Sequence, residues 1–351
     1  MVWRSKGRLA GMEQNLTQSR PLVSIITPSF NRADLIGHAI ESVLKQDYSP
    51  IEHIIIDGGS TDGTLDLLAQ YPHLKVVSGP DNGMYDALNK GLKLAQGEIV
   101  GFLNTDDLYA LEVFEAIVAP FANPVVEAVA GRAEVLRAGE DGKLTPVAEI
   151  IPSSPDNLLE QTVLGQPAFN AWFFRRSLFE RIGAFETGYR FAADRDFMIR
   201  LALARIMYAR TDTLVYRYCQ HAGSLTFNRE NTFLTEIMQE HLKLTDGFLR
   251  KDGLPENAKV FLRKMRTRDT LRMAEFHLTK LELGKAWFFA REGIRFDPGW
   301  PPKFINKLYQ TSLVDGLLKR IGSFYFTFRQ SGIHGITRRV AIWYHKKKRP
   351  A

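Results

Sequence analysis

The chain has 351 residues, of which 45% are hydrophobic, 24% charged and 11% aromatic, a globular balance that excludes a disordered or fibrous protein. Its formal charge of +7 sits at the ends: residues 1–20 carry a net +3 and residues 338–351 a net +6, which leaves the body at −2. That distribution argues against a nucleic-acid-binding body and for a basic tail meeting an anionic surface, most simply phospholipid head groups.

From the N-terminus, residues 1–20 read as a polar basic arm, with Met12 an alternative start to Met1. From Pro21 the pattern changes. Val23 to Pro28 reads as a short buried strand, and Leu35, Ile36, Ala39, Ile40, Val43 and Leu44 have helical spacing. Ile51 to Asp57 reads as strand, Gly58 to Gly63 as turn, Thr64 to Gln70 as helix and Leu74 to Ser78 as strand. Asp86 to Ala95 is helical, and Glu98 to Leu103 is a strand that runs into Asn104-Thr105-Asp106-Asp107. Such alternation predicts an α/β fold whose strands form a parallel sheet, with the ligand site in the loops at their carboxyl ends.

Between Val125 and Ile150 the pattern is strand-like, and Asp141-Gly142 signals a hairpin where the chain turns antiparallel. Helices are expected around Ser177 to Ile182 and Asp194 to Ala204, and a strand at Thr213 to Tyr218. After Asn231 the text becomes long helical patterns punctuated by Pro255, Pro298 and Pro301-Pro302. Leu281 to Pro298 resembles one helix of a tetratricopeptide-type repeat, but no second copy follows at that period. Three regions result: the arm 1–20, an α/β domain 21–230, and a helical C-terminal region 231–351 with a basic tail. One cysteine, Cys219, excludes an intrachain disulfide and a multi-cysteine metal site. No run approaches the roughly 18 apolar residues of a membrane-spanning helix, and no signal-peptide pattern opens the chain, so a cytoplasmic location is expected.

The predicted strand ends are rich in carboxylates. Asp57 closes one strand, Asp62 follows in its turn, and Asp106-Asp107 close another. Acids distant in sequence converge in one crevice of such a sheet, and a pair of hard oxygen ligands suits magnesium or manganese, which holds a diphosphate. The alternative for Asp106 or Asp107 is a cap on a helix starting near Leu111, and Asp62 reads as a turn or cap residue.

Four segments carry a resemblance. Val23-Ser24-Ile25-Ile26-Thr27-Pro28-Ser29-Phe30-Asn31-Arg32, Ile55-Ile56-Asp57-Gly58-Gly59-Ser60-Thr61-Asp62-Gly63-Thr64, Gly83-Met84-Tyr85-Asp86-Ala87-Leu88-Asn89-Lys90-Gly91 and Phe102-Leu103-Asn104-Thr105-Asp106-Asp107 together resemble a family 2 glycosyltransferase of the bacterial surface-polysaccharide subgroup. The resemblance covers about residues 21–225. It implies a GT-A fold, a mixed sheet flanked by helices, and inverting transfer of a sugar from a nucleotide diphosphate donor, usually a uridine one.

Roles follow from the resemblance position by position. Pro28 and Asn31 would line the first donor loop, Asp57 would accept a hydrogen bond from uracil N3–H, and Asp86 and Lys90 would lie along the nucleotide. Asp106 would face the ribose, and Asp107 would bind the Mn2+ or Mg2+. Phe191 to Leu201 resembles the family's Glu-Asp motif, with Asp194 as the base that takes the acceptor proton and Ala193 in place of the usual preceding acid; Asp196, two residues on, competes for that role. His221, in a segment with Tyr216, Arg217 and Ser224 that resembles the family's closing loop, would meet the metal or diphosphate. The implied partners are a UDP-sugar and a saccharide or lipid-linked saccharide acceptor, with no nucleic acid. The tail Arg338 to Arg349, with Val340, Ile342, Trp343 and Tyr344 between its basic clusters, suits peripheral attachment to the inner face of an anionic membrane. Two other classes remain open to the residues: a non-enzymatic membrane or polyanion adaptor built on the basic ends, and a sugar nucleotidyltransferase, although no Gly-rich, Arg-bearing loop follows Ile26.

Overall fold

The computed structural model describes residues 20–139, 143–220 and 233–303. The chain divides into two compact units, one running to Arg266 and the other starting at Thr267. The first is built on a sheet of nine strands: β1 (Val23–Ser29), β2 (Ile51–Asp57), β3 (Leu74–Ser78), β4 (Ile99–Phe102), β5 (Leu108–Tyr109), β6 (Ala128–Ala138), β7 (Leu144–Ile150), β8 (Trp172–Arg175) and β9 (Tyr208–Gln220). Their order is β3-β2-β1-β4-β8-β6-β9-β5, with β7 paired to β6.

The first four strands are mutually parallel, as the alternating pattern predicts. Direction reverses at β8, which runs antiparallel to both β4 and β6. β6 and β7 form the expected antiparallel pair, whose turn residues 140–142 lie outside the described ones. Parallel strands covered on both faces need continuous apolar runs. Accordingly Val23, Ile25, Ile26, Ile54, Ile55 and Ile99 are all fully buried.

Helices α1 (Ile36–Leu44), α2 (Thr64–Leu68), α3 (Met84–Leu94), α4 (Phe114–Val118), α5 (Leu158–Leu164), α6 (Arg176–Ile182) and α7 (Ala193–Leu203) flank the sheet. α1 buries Ile36, Ala39, Ile40 and Val43, the stripe read from its spacing. One face of the sheet carries an aromatic cluster in which Phe102 stacks on Phe169 at 5.2 Å and Phe179 on Phe197 at 5.0 Å. α3 lies close against β1, because a Cβ on Gly91 would stand 2.3 Å from Ile26 Cγ2. Only glycine permits that approach, and it brings the first turn of α3 to the strand ends.

Helix α8 (Leu234–Leu249) and the first part of α9 (Glu256–Thr279) belong to the same compact unit. Leu244, Phe248, Leu254, Ala258, Leu262 and Met265 share a buried cluster with Val163, Ala192 and Ile199. The sequence reading placed a boundary at 230; the shared core carries the unit to Arg266. In the second unit, the rest of α9 and α10 (Leu283–Phe296) enclose Trp300, 2% exposed, whose Nε1 donates to Thr270 Oγ1 at 3.2 Å. Among the described residues no helix is long and apolar enough to cross a membrane.

Candidate active site

The crevice forms where β1, β2 and β4 end. The loop after β1 is stitched to the turn after β2 by side chains on both sides. Asn31, at a left-handed φ of 52°, donates its N–H to Ser60 Oγ at 2.7 Å and accepts Thr61 N–H on Oδ1 at 2.9 Å. Arg32 N–H donates to Thr64 Oγ1 and Ala33 N–H to Asp62 Oδ2, so Asp62 is the turn residue its context predicts.

Asp57 lies fully buried beneath this double loop. Its Oδ2 accepts Gly59 N–H, Ser60 N–H and Ser78 Oγ–H at 2.8–2.9 Å, and Oδ1 accepts Ser60 Oγ–H. Pro28 occupies the carboxyl end of β1, in register with Ile56. Beside them Phe30 is 57% exposed, and a Cβ on Gly58 would stand 3.2 Å from its ring and 2.8 Å from Asp81 Oδ2. Glycine at this position lets the Phe30 ring and the Asp81 carboxylate approach the backbone closely. Phe30 was not singled out from the sequence; its exposure in an otherwise apolar strand end is a tertiary property.

The segment Met84 to Gly91 resolves into two i,i+4 pairs on different faces of α3. Asp86 and Lys90 form one pair at 3.2 Å; Asp86 also accepts Asn82 N–H, and Lys90 donates to Pro80 O at 2.9 Å. The Asn82 N–H first, and then Lys90, hold the Asp86 carboxyl below its usual range. Tyr85 and Asn89 form the other face. Asn89 exchanges two hydrogen bonds with the Phe185 backbone at 2.8 and 3.0 Å, and the buried Tyr85 hydroxyl reaches both Phe191 O and the Asp194 carboxylate.

Asp106 and Asp107 follow β4 but do not cap a helix. The short strand β5 comes next, and α4 begins at Phe114 after Val113 with no side-chain cap. The capping alternative is therefore corrected: the loop runs into strand pairing with β9, because Leu108 and Tyr109 sit opposite Arg217 and Tyr216. Asp106 is half-buried and Asp107 is 5% exposed. Asp107 Oδ1 accepts Cys219 N–H at 2.9 Å, while Oδ2 accepts Tyr216 O–H at 2.9 Å and Asn104 Nδ2–H at 3.0 Å. Burial, reinforced by the Asp106 charge, pushes the Asp107 carboxyl up to about 7 despite those donors. Cys219 is half-buried and donates its backbone N–H to Asp107, while burial and the two aspartates push its thiol up to about 12.

Two adjacent carboxylates, with one Oδ1 lone pair of Asp107 left over, fit a hard divalent cation and leave most of its coordination to a ligand and water. Among the described residues no cluster of three or more His, Cys, Asp or Glu could hold a metal by itself. His221 and Ser224 lie outside the described residues, as does the tail 338–351.

Asp194 stands in the first turn of α7 and accepts Arg195 N–H on Oδ1 at 2.6 Å. Burial raises its carboxyl above the usual range, and Arg195, His241 and the Tyr85 hydroxyl oppose the rise. Asp196, the competing aspartate, is buried and paired with Arg200 at 2.8 Å, whose guanidinium also caps the Ile182 and Ala184 carbonyls. That pairing gives Asp196 to the fold. Trp172 of β8 lies in the core at 3% exposure. Tyr218 of β9 feels both Asp107 and Asp194, which together with burial push its phenol far up.

A mixed sheet with four parallel strands and an acidic pair at a strand end is the architecture of a GT-A fold. The family model described as Glycosyl transferase family 2 matches residues 24–183. An uncharacterized glycosyltransferase of Mycobacterium tuberculosis is 36% identical over 195 residues, 53% of this chain and 70% of the relative. A PGL/p-HBAD biosynthesis glycosyltransferase of Mycobacterium bovis is 32% identical over 186 residues, 51% and 69% of the two chains. The chain belongs to glycosyltransferase family 2 and is a glycosyltransferase.

Solved structures share the fold at lower identity. Staphylococcus aureus TarS residues 1–349 in complex with UDP-GlcNAc superposes with a TM-score of 0.55 at 18% identity, over 78% of this chain and 81% of that one. This chain spans 43% of the longer TarS chain. A mannosyltransferase of Pyrobaculum calidifontis in complex with GDP-Man and Mn2+ gives 0.51 at 20% identity, over 86% and 87%.

Proposed function

We propose that the chain transfers a sugar, with inversion, from a UDP-sugar to a hydroxyl of a lipid-linked or growing surface polysaccharide. The observation that carries this reading is the acidic pair Asp106-Asp107 at the carboxyl end of β4, with Asp107 buried and held by Cys219 N–H, Tyr216 O–H and Asn104 Nδ2–H. The Mycobacterium bovis relative named for PGL/p-HBAD biosynthesis and the TarS complex with UDP-GlcNAc support the substrate class.

Pro28, Asn31 and Asp57 shape the base slot, where Phe30 offers a flat face to the uracil and the remaining Oδ1 lone pair of Asp57 an acceptor for N3–H. Asp86 and Lys90 lie along the nucleotide, and Asp106 faces the ribose. Asp107 would hold Mn2+ or Mg2+, with His221, outside the described residues, as a further expected ligand; the ion would neutralise charge on the leaving diphosphate. Asp194, its basicity raised by burial, takes the proton of the acceptor hydroxyl as that oxygen attacks the sugar from the face opposite the diphosphate. A cytoplasmic enzyme attached through residues 338–351 would meet a lipid-linked acceptor at the membrane surface.

Calorimetric titration of UDP into the wild-type and Asp107→Ala proteins, with and without Mn2+ and against GDP and CDP, tests the donor site. Metal-dependent, UDP-selective binding that Asp107→Ala abolishes is the expected result. Folded protein that binds no nucleotide under any of these conditions overturns the reading.

A further inference from the structure

The catalytic-loop motif has a gap at Ala193, where the resembling motif carries an acid before the aspartate. The backbone there has a matching need. Helix α7 begins after Ala192, whose side chain offers no cap, so the N–H groups entering the helix must find acceptors elsewhere.

They find one on α8. Glu240 accepts Arg190 N–H on Oε1 at 2.7 Å, and Phe191 N–H and Ala192 N–H on Oε2 at 2.8 and 2.9 Å. Three consecutive N–H groups converge on one carboxylate, the geometry in which a negative charge complements the start of a helix. The held residues end two positions before Asp194, and Phe191 O is also touched by Tyr85 at 3.5 Å. Arg190 folds its guanidinium over Phe191 at 4.9 Å and Phe233 at 5.2 Å, closing the outer side of the same loop. Glu240 itself is anchored, because Leu244 and Phe248 further along α8 are buried with Ala192 and Ile199.

We propose that Glu240 is the positioning residue of Asp194: a carboxylate contributed by α8, outside the matched residues 24–183, fixes the 190–192 backbone and so the direction from which Asp194 meets the acceptor hydroxyl. The proposal rests on Asp194 being the base. Glu240 touches no substrate; it acts through the backbone it holds. A displacement of about 1 Å at a base costs on the order of 100-fold in rate.

The test uses the full chain, with UDP binding by calorimetry and steady-state transfer as readouts. Glu240→Gln keeps the size but loses the charge and one acceptor oxygen. It is expected to lower kcat by about 10- to 100-fold with unchanged UDP affinity and donor KM, whereas Glu236→Gln, which breaks a surface pair with Arg190 on the same helix, changes kcat less than about twofold. Placed on an Asp194→Asn background, Glu240→Gln is expected to cost nothing further, the non-additivity of residues that act as one unit. An unchanged kcat in Glu240→Gln, a fully additive loss in the double variant, or a loss that tracks falling UDP affinity overturns the proposal. If Asp194→Asn alone keeps wild-type kcat, the base reading fails instead, and the single variants separate the two failures.

Discussion

Tyr85 shows how one atom can link the two halves of the site. Its hydroxyl donates to Phe191 O at 3.5 Å and favours the charged form of the Asp194 carboxyl, which burial raises. Arg195 from α7, His241 from α8 and the Tyr85 hydroxyl from α3 oppose the effect of burial on the Asp194 carboxyl, and the Asp194 charge in turn helps to raise Tyr218 of β9. Tyr85→Phe keeps the ring contact with Phe185 at 5.6 Å and removes only the hydroxyl. The expected outcome is a kcat lowered about tenfold and an acidic limb of the kcat against pH curve moved to higher pH, since the carboxylate loses a donor that favours its charged form. His53 gives a residue-scale prediction about stability. It is 1% exposed and neutral, with Nε2 2.9 Å from Thr27 Oγ1, and burial, helped by the nearby His73, lowers its pKa from 6.5 to about 3. Between those values the unfolded chain binds a proton that the folded one refuses, so stability falls as pH drops from about 6.5 towards about 3. The folded-to-unfolded ratio loses up to about tenfold per pH unit from this residue. Urea melts across that window should show a shallower pH slope for His53→Asn than for the wild type. Asp57, Asp106 and Asp107 were legible from sequence because each closes an apolar strand run, whereas Asp86 and Asp194, in α3 and α7, were named only through the resemblance; Tyr85 and Phe30 were not legible, because nothing local distinguishes a tyrosine that reaches a carboxylate from one that fills a core.

At the scale of elements, periodicity located β2 and β3 with their observed ends and α1, α3 and α7 within a few residues. It missed β5 and β8. Both are short, and their pairing partners lie far along the chain, so only tertiary hydrogen bonding defines them. Missing β5 is what made a helix cap seem available to Asp107. The seating of α3 on β1 carries its own prediction. Gly91→Ala places a methyl 2.3 Å from Cγ2 of the fully buried Ile26 of β1. Overpacking of that kind costs about 1–3 kcal/mol, read as a lower urea midpoint with an unchanged m-value. It should also weaken UDP binding, because the first turn of α3 moves with the helix.

For the whole molecule, the proportion of chain given to chemistry is larger than the motifs suggest. Four motifs lie before residue 108, yet the core that holds α7 runs on through Leu244, Phe248, Leu262 and Met265. Helical text after Asn231 read as an appendage because helix periodicity says that a face is buried, not against what. Leu262→Ala tests the point: a fully buried leucine in that cluster should cost about 2–5 kcal/mol of stability in denaturant melts, in one transition shared by tryptophan fluorescence and circular dichroism. This shared core has a consequence for how such enzymes exchange parts. Recombination that joins the first 230 residues of one family member to the helices of another would set Val163, Ala192 and Ile199 of one parent against an α8 shaped by a different history. Acceptor preference is therefore expected to be inherited as a block with its supporting helices, and libraries that shuffle these enzymes should place their crossover points outside that block.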